Sequence, residues 1–284
     1  MTENRSDLAS AEWTESHRED LDAAYDLLEH PGLIARVSST LATPIDAGMD
    51  LLPESARRRI LALAEVSLHS ALRTVLWTLD REVDRAPSNR AHKAGSAISG
   101  ALGGAFGLPA LAIELPISTS IMLRSIAEIA RGEGEDLSDR STQLACLEVF
   151  ALGGPSSEDD LADTGYFGVR GALAKTVSEA ARYAASARVV SDSAPALVRL
   201  ISQVAGRFAI PVSEKAAAQS VPLIGAAGGA VINVLFIDHF QNAARGHFMI
   251  RRLERSYGQD AVRQAYEQLR LRAQGPKQPQ LSDQ

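Results

Sequence analysis

Aromatic side chains are scarce in this chain, 5% of its residues, and their scarcity removes the usual filling of a β-sandwich core. Hydrophobic residues still make up 45% of 284, enough for a sizeable core. That core has to come mainly from Ala, Leu, Ile and Val packed as helices. Cysteine occurs once, as Cys146 inside the apolar run 144–152. A disulfide framework is therefore excluded, and a small buried hydrophobe in a reducing, cytoplasmic setting is expected. Positive charge is not in excess: the formal net charge is −6 and the pI about 5.6. Nothing draws a phosphate backbone, and nucleic acid is not an expected partner. Signature motifs are missing as well. The chain has no His-Glu-x-x-His, no Gly-x-Ser-x-Gly, and no Walker or dinucleotide fingerprint, so the usual metal, nucleophile and phosphate chemistries lack their residues. No cofactor and no metal are expected. The first 20 residues are polar and acidic without an apolar core, so no secretory leader is expected.

Charge is absent from two long stretches, 94–113 and 216–237, bounded by Lys93 and Glu114 and by Lys215 and Asp238. A shift of 124 positions places Glu114 on Asp238 and Asp136 on Asp260. This reads as an internal repeat over residues 93–136 and 217–260, a duplicated helical hairpin. In the first copy Gly95, Ser99, Gly103 and Gly107 recur every fourth residue; in the second Gly225 and Gly229 do. Such a glycine zipper gives one flat helix face that a partner helix can approach at backbone contact. About 20 uncharged residues match a hydrocarbon core of ~30 Å. Six strongly apolar residues in the first stretch, however, supply only about −3 kcal/mol of insertion free energy, opposed by Gly, Ser and Pro. With a mean hydropathy of −0.05, the expectation is an all-α multi-helix bundle with the hairpins buried at its centre.

Helical signals fill the rest. Ser16 with Glu19 reads as a capping box for a helix to about residue 30. Pro31 starts a second, carrying Leu33, Ile34, Val37 and Leu41 at helical spacing, and Pro53 opens a long apolar-faced helix to about residue 83. Pro116 is expected to begin a helix that stops at Gly132–Gly134. Ser138 or Asp139 should cap the next, which ends at Gly153. Residues 156–168 read as a loop, 171–190 and 195–208 as helices, and Ile210-Pro211 as a break. Ser213 is expected to cap a helix into the second uncharged stretch, Pro109 and Pro222 to kink or end theirs, and the final helices to run from Asp238 to Tyr257 and from Asp260 to Ala273. Residues 1–15 and 274–284 read as disordered tails flanking one domain, 16–273.

Polar residues lodged among apolar ones are the candidate site. Glu114 and Asp238 hold matched positions in the two repeats, and Glu148 sits within 144–152. Burial would raise their pKa values unless a cation is near. Arg124, Lys215 and His239 are the candidate cations, and Asn233 the candidate hydrogen-bonding lock. Internal ion pairs fixing the register of the hairpins is the favoured role. His239 and His247, eight apart, could share a helix face, but a metal would need a third ligand. Arg251, Arg252 and Arg255, interrupted by Glu254, read as a solvated face with anionic lipid heads as the alternative, and Arg57–Arg59 read likewise.

The segments 174–180 (AKTVSEA), 212–226 (VSEKAAAQSVPLIGA), 236–240 (FIDHF) and 251–255 (RRLER), with Gly107-Leu108-Pro109, Glu114-Leu115-Pro116 and Gly134-Glu135-Asp136-Leu137 upstream, resemble the EcsC family over residues 60–270. This bacterial family takes its name from an operon that also encodes an ABC transporter, and some of its members carry a peptidase label. The resemblance implies a cytoplasmic accessory or binding module, peripheral to the inner membrane and linked to transport or secretion. Its expected partners are a lipid, a membrane protein or a second copy. The alternative is a peptidase-like hydrolase with a carboxylate and histidine site at Glu114, Glu148, Asp238 and His239.

Overall fold

The computed structural model of the chain describes residues 13–29, 33–41, 52–78, 108–152, 165–186, 193–219 and 225–273. They form nine helices and, among the described residues, no strand. The helices are α1 Glu15–Leu28, α2 Leu33–Leu41, α3 Glu54–Thr78, α4 Leu108–Gly132, α5 Arg140–Leu152, α6 Tyr166–Ser186, α7 Pro195–Gln219, α8 Gly225–Tyr257 and α9 Gln259–Ala273. The all-α multi-helix bundle expected from composition is the fold observed.

At its centre lies α5, in which every side chain from Thr142 to Leu152 is buried, the only place for a helix without a polar face. Phe150 of α5 meets Phe208 and Phe240 at ring-centroid distances of 4.9 and 5.3 Å, and Phe236 meets Phe240 at 5.2 Å. Four of only seven phenylalanines are thus gathered at one point. Cys146 is fully buried beside them on α5, and burial pushes its thiol up to about 12, which makes it the inert apolar residue expected.

Helix directions follow from paired contacts. Ala56 near the start of α3 shares an apolar cluster with Ala217 near the end of α7. Further along α3, Glu65 accepts a 2.8 Å bond from Ser202. The two helices are therefore antiparallel. In contrast, α4 and α8 run parallel: Glu114 and Asn233 meet through one lysine, Gln241 donates to Ser125 at 2.7 Å, and Arg251 bonds Glu135 just past the end of α4.

Several expectations about helix ends are corrected. Thr14, not Ser16, caps α1: its hydroxyl accepts from the His17 amide at 3.2 Å, with Glu15 in the first turn. Asp139 caps α5 as expected, accepting from the Ser141 amide at 2.9 Å. Pro116 does not begin a helix, and Pro211 does not break one; both lie inside, in α4 and α7. Each proline removes one backbone donor. Beside Pro116, two hydroxyls also bond back to carbonyls of the same helix, Ser118 to Leu115 at 3.2 Å and Ser120 to Pro116 at 2.8 Å. Beyond Pro211 every residue to Ala218 is buried, so tertiary packing overrides local propensity. Nor does a new helix start at Ser213 or after Asp238. The second uncharged stretch is divided between the end of α7 and the first half of α8, a single helix of 33 residues, roughly 50 Å long.

Gly134 and Gly258 both adopt positive φ, +79° and +86°. They stand 124 apart, so the turn ending α4 and the turn between α8 and α9 share the proposed repeat spacing. The matched acids do not share an environment, since Glu114 is buried and Asp238 half-buried. Gly95, Gly103 and Gly107 lie outside the described residues, as do 1–12 and 274–284 of the expected tails; the end of the first tail is corrected, since Trp13 stacks on Tyr257 at 4.4 Å, Thr14 caps α1 and Glu15 begins it. Gly225 opens α8, and Gly229 is buried one turn on. A close helix approach at a glycine is found at Gly246. A Cβ there would stand 2.6 Å from Leu28 Cγ and 3.1 Å from the Ala24 carbonyl of α1. Gly246→Ala should gain about 1 kcal/mol of helix propensity and lose more to overpacking, roughly 1–3 kcal/mol. A net drop in Tm of about 2–4 °C is expected in a calorimetric scan; a rise would mean that α1 yields freely.

Candidate functional site

A lysine inside an apolar bundle is stable only if its charge is met, and Lys215 is met from two helices. Wholly buried on α7, it donates to Glu114 Oε1 of α4 at 2.5 Å and to Asn233 Oδ1 of α8 at 2.7 Å. Its Nζ also lies 4.7 Å from the centroid of the Phe236 ring, a cation–π contact that needs no hydrogen-bonding partner. Burial pulls the ammonium below the usual lysine range, and Glu114 works against that pull. Three of the seven polar candidates read from the sequence thus form one junction. Glu114 Oε2, also buried, accepts no hydrogen bond among the described residues.

Glu148 belongs to a second constellation. It is buried on α5, and burial raises its carboxyl above the usual range against the pull of Arg170 and Arg251. Arg170 of α6 grips Glu254 of α8 with two bonds of 2.7 and 3.2 Å and donates to the Tyr166 hydroxyl at 3.2 Å. That hydroxyl lies 2.9 Å from His247 Nδ1. The tautomer of the ring decides which of the two donates. Burial first, then the charges of Arg170 and Arg251, hold His247 well below the ordinary histidine range. His247 Nε2 has no hydrogen-bond partner among the described residues.

Arg251, Arg252 and Arg255 lie on a partly solvated face, as their spacing indicates, but each is paired there. Arg251 binds both oxygens of Glu135, at 2.9 and 3.0 Å, and Arg255 bonds Glu135 and the Glu133 carbonyl. Arg252 joins Glu133 at 2.7 Å and Asp20 of α1 at 3.1 Å. Burial raises the Glu135 carboxyl, but the bonds and charge of Arg251 outweigh it and hold it below the usual range. The network staples the far ends of α4 and α8 together.

Arg124, Asp238 and His239 are half-buried, and His239 lies edge-on to Phe240 at 5.2 Å. Glu114 and Glu148 are far apart. Their respective neighbours Asn233 and Arg251 stand 18 residues apart on α8, roughly 27 Å along its axis. A surface cleft beside the first turn of α6 includes Glu29, Tyr166, Arg263 and Tyr266 and none of these candidates. Within it Glu29 accepts from the Tyr166 amide at 3.1 Å and the Tyr266 hydroxyl at 2.9 Å. Among the described residues no three His, Cys, Asp or Glu side chains are placed to hold a metal ion, and no helix is long and apolar enough to cross a membrane.

Sequence reasoning named Lys215, Glu114 and Asn233 singly and missed Tyr166, Arg170, Glu254 and Glu135. One signal was available: His247 stands beside Phe248 in a helix facing the core, where a neutral histidine needs a polar partner. No curated protein and no solved structure matches the chain. The model of the EcsC protein family matches residues 35–253, more than half of the chain, leaving α1 and α9 outside it. The chain belongs to the EcsC protein family.

Proposed function

We propose that the protein is a non-enzymatic helical accessory module that works at the inner face of the cytoplasmic membrane in support of transport or secretion. The observation that carries this reading is the use made of the chemically capable side chains. Lys215 is spent on Glu114 and Asn233, Arg170 on Glu254, and Arg251 on Glu135, all buried or partly buried. Groups fixed in this way hold helices in register; hydrolysis would need a carboxylate and a base converging on an open pocket. The uncharged stretches at 94–113 and 216–237 add an affinity for apolar surroundings without a described helix that crosses a bilayer.

Two measurements test the reading together. Purified full-length protein should co-sediment with vesicles of phosphatidylethanolamine and phosphatidylglycerol and be released by carbonate, as a peripheral protein is. It should also leave peptide substrates intact. Protein that stays in the supernatant under every condition would count against membrane work, and turnover abolished by Glu148→Gln would establish the hydrolase instead.

A further inference from the structure

The helices that meet at Lys215 turn different chemistry outward there than elsewhere. Over residues 108–123 the only charged residue of α4 is Glu114, which is buried, and over 208–219 those of α7 are Glu214 and Lys215, both buried. Residues 225–237 of α8 carry none. The outward positions are apolar: Ile113 is 72% and Ile117 51% exposed, one turn apart on α4, with Val231 of α8 and Ile210 of α7 exposed as well. At the opposite end of α4 and α8 the surface is a lattice of arginines and carboxylates. The first turn of α3 lies at the uncharged end, because Ala56 packs with Ala217 there. It exposes Arg57, Arg58 and Arg59 in a row.

We propose that this end of the bundle is the surface that touches lipid, with Ile113 and Ile117 entering the acyl boundary and Arg58 and Arg59 meeting anionic headgroups. The inference rests on the membrane reading above and adds which face makes the contact. Charge complementarity supports it: a basic rim beside an apolar patch is the arrangement that binds an anionic interface, whereas Arg251, Arg252 and Arg255 are already neutralised by Glu135, Glu133 and Asp20. The adjoining sequence supports it too. Residues 94–107 lead directly into α4, residues 220–224 lead into α8, and neither contains a charged side chain. Two isolated exposed isoleucines would need no explanation; two on one helix face, flanked by uncharged sequence and rimmed by arginine, do.

The test uses the full chain with a polarity-sensitive nitrobenzoxadiazole label on Ile113→Cys, and on Ser256→Cys at the charged end as control. Native Cys146 is fully buried and does not compete for the label. With phosphatidylethanolamine/phosphatidylglycerol vesicles, the label at position 113 should shift to the blue and brighten while that at 256 stays unchanged. Ile113→Glu with Ile117→Glu should lower vesicle partitioning about tenfold or more, since each buried isoleucine contributes at least that factor. Arg58→Gln with Arg59→Gln should weaken binding only at low salt. If wild-type protein does not bind vesicles at all, the membrane reading falls and this inference with it. If it binds but the label at 113 stays silent or the label at 256 responds, only this inference falls. A blue shift at 113 that appears without lipid, together with a dimer that the double glutamate variant makes monomeric in the ultracentrifuge, would assign the face to a second copy and overturn the lipid proposal.

Discussion

Lys215→Met is expected to destabilise the protein by about 3–5 kcal/mol, because it leaves the Glu114 carboxylate buried without its cation. The pair is 0% and 4% exposed on its two sides, so little solvent screening relieves the loss. Glu114→Gln in the Lys215→Met background should recover most of it, since an interior without charge needs none to balance. Denaturant titration of the single and double variants gives both numbers. A single-variant loss below about 1 kcal/mol, the range of solvated pairs, would show that water reaches the junction and that it does not lock α4, α7 and α8.

The second large effect is one of pH. His247 is held neutral in the folded protein, its pKa well below the ordinary histidine value of 6.5, while the unfolded chain takes up a proton near pH 6.5. Below that pH the unfolded state binds the proton that the folded state refuses, so stability is complete above about 6.5 and falls by up to about 1.4 kcal/mol per pH unit below it. Glu148 acts in the opposite sense. Its folded pKa is raised above 4.5, so its stabilising contribution grows as the pH falls through that raised value. Glu135, lowered from 4.5, loses stabilising effect only as the pH falls below about 4.5. A loss of stability just under pH 6.5 therefore has the sign of His247 and not of Glu148. Stability at pH 5.5 should be about 1 kcal/mol below that at pH 7.5, and His247→Gln should flatten the difference. Parallel slopes in the two proteins would mean that the ring titrates freely.

The parts of this fold legible in the sequence are those set by neighbours along the chain. Asp139 caps α5 as its spacing indicates, the apolar run at 144–152 is the buried helix it reads as, and the turn glycines at 134 and 258 take the left-handed conformation that ends a helix. Pro116 and Pro211 misled because a proline is read by the local bond it removes, whereas packing over a 25-residue helix decides whether that loss matters. The site was legible as a set of residue types but not as a geometry. A charge within an apolar run signals a buried charge, which found Lys215 and Glu114, 101 positions apart; it could not say that they were each other's partner. Tyr166 and His247 are 81 apart and Arg170 and Glu254 are 84 apart, and of the four only His247 stands out against its local sequence. Arg251, Arg252 and Arg255 gave no sign of their pairing because the counter-ions, Glu133 and Glu135, stand 116 to 120 positions away and only the fold brings them alongside.

The junction at Lys215 also determines how the isoleucine-bearing end appears from outside. Two opposite unit charges 2.5 Å apart leave no monopole, only a short dipole whose field decays with a higher power of distance than that of a lone ion. An apolar medium pressed against Ile113 would meet an electrically quiet surface although a carboxylate and an ammonium stand within the helices beneath it. Removing either partner would turn that same surface into the face of a buried ion, so one pair of atoms sets both the cohesion of three helices and the polarity they present.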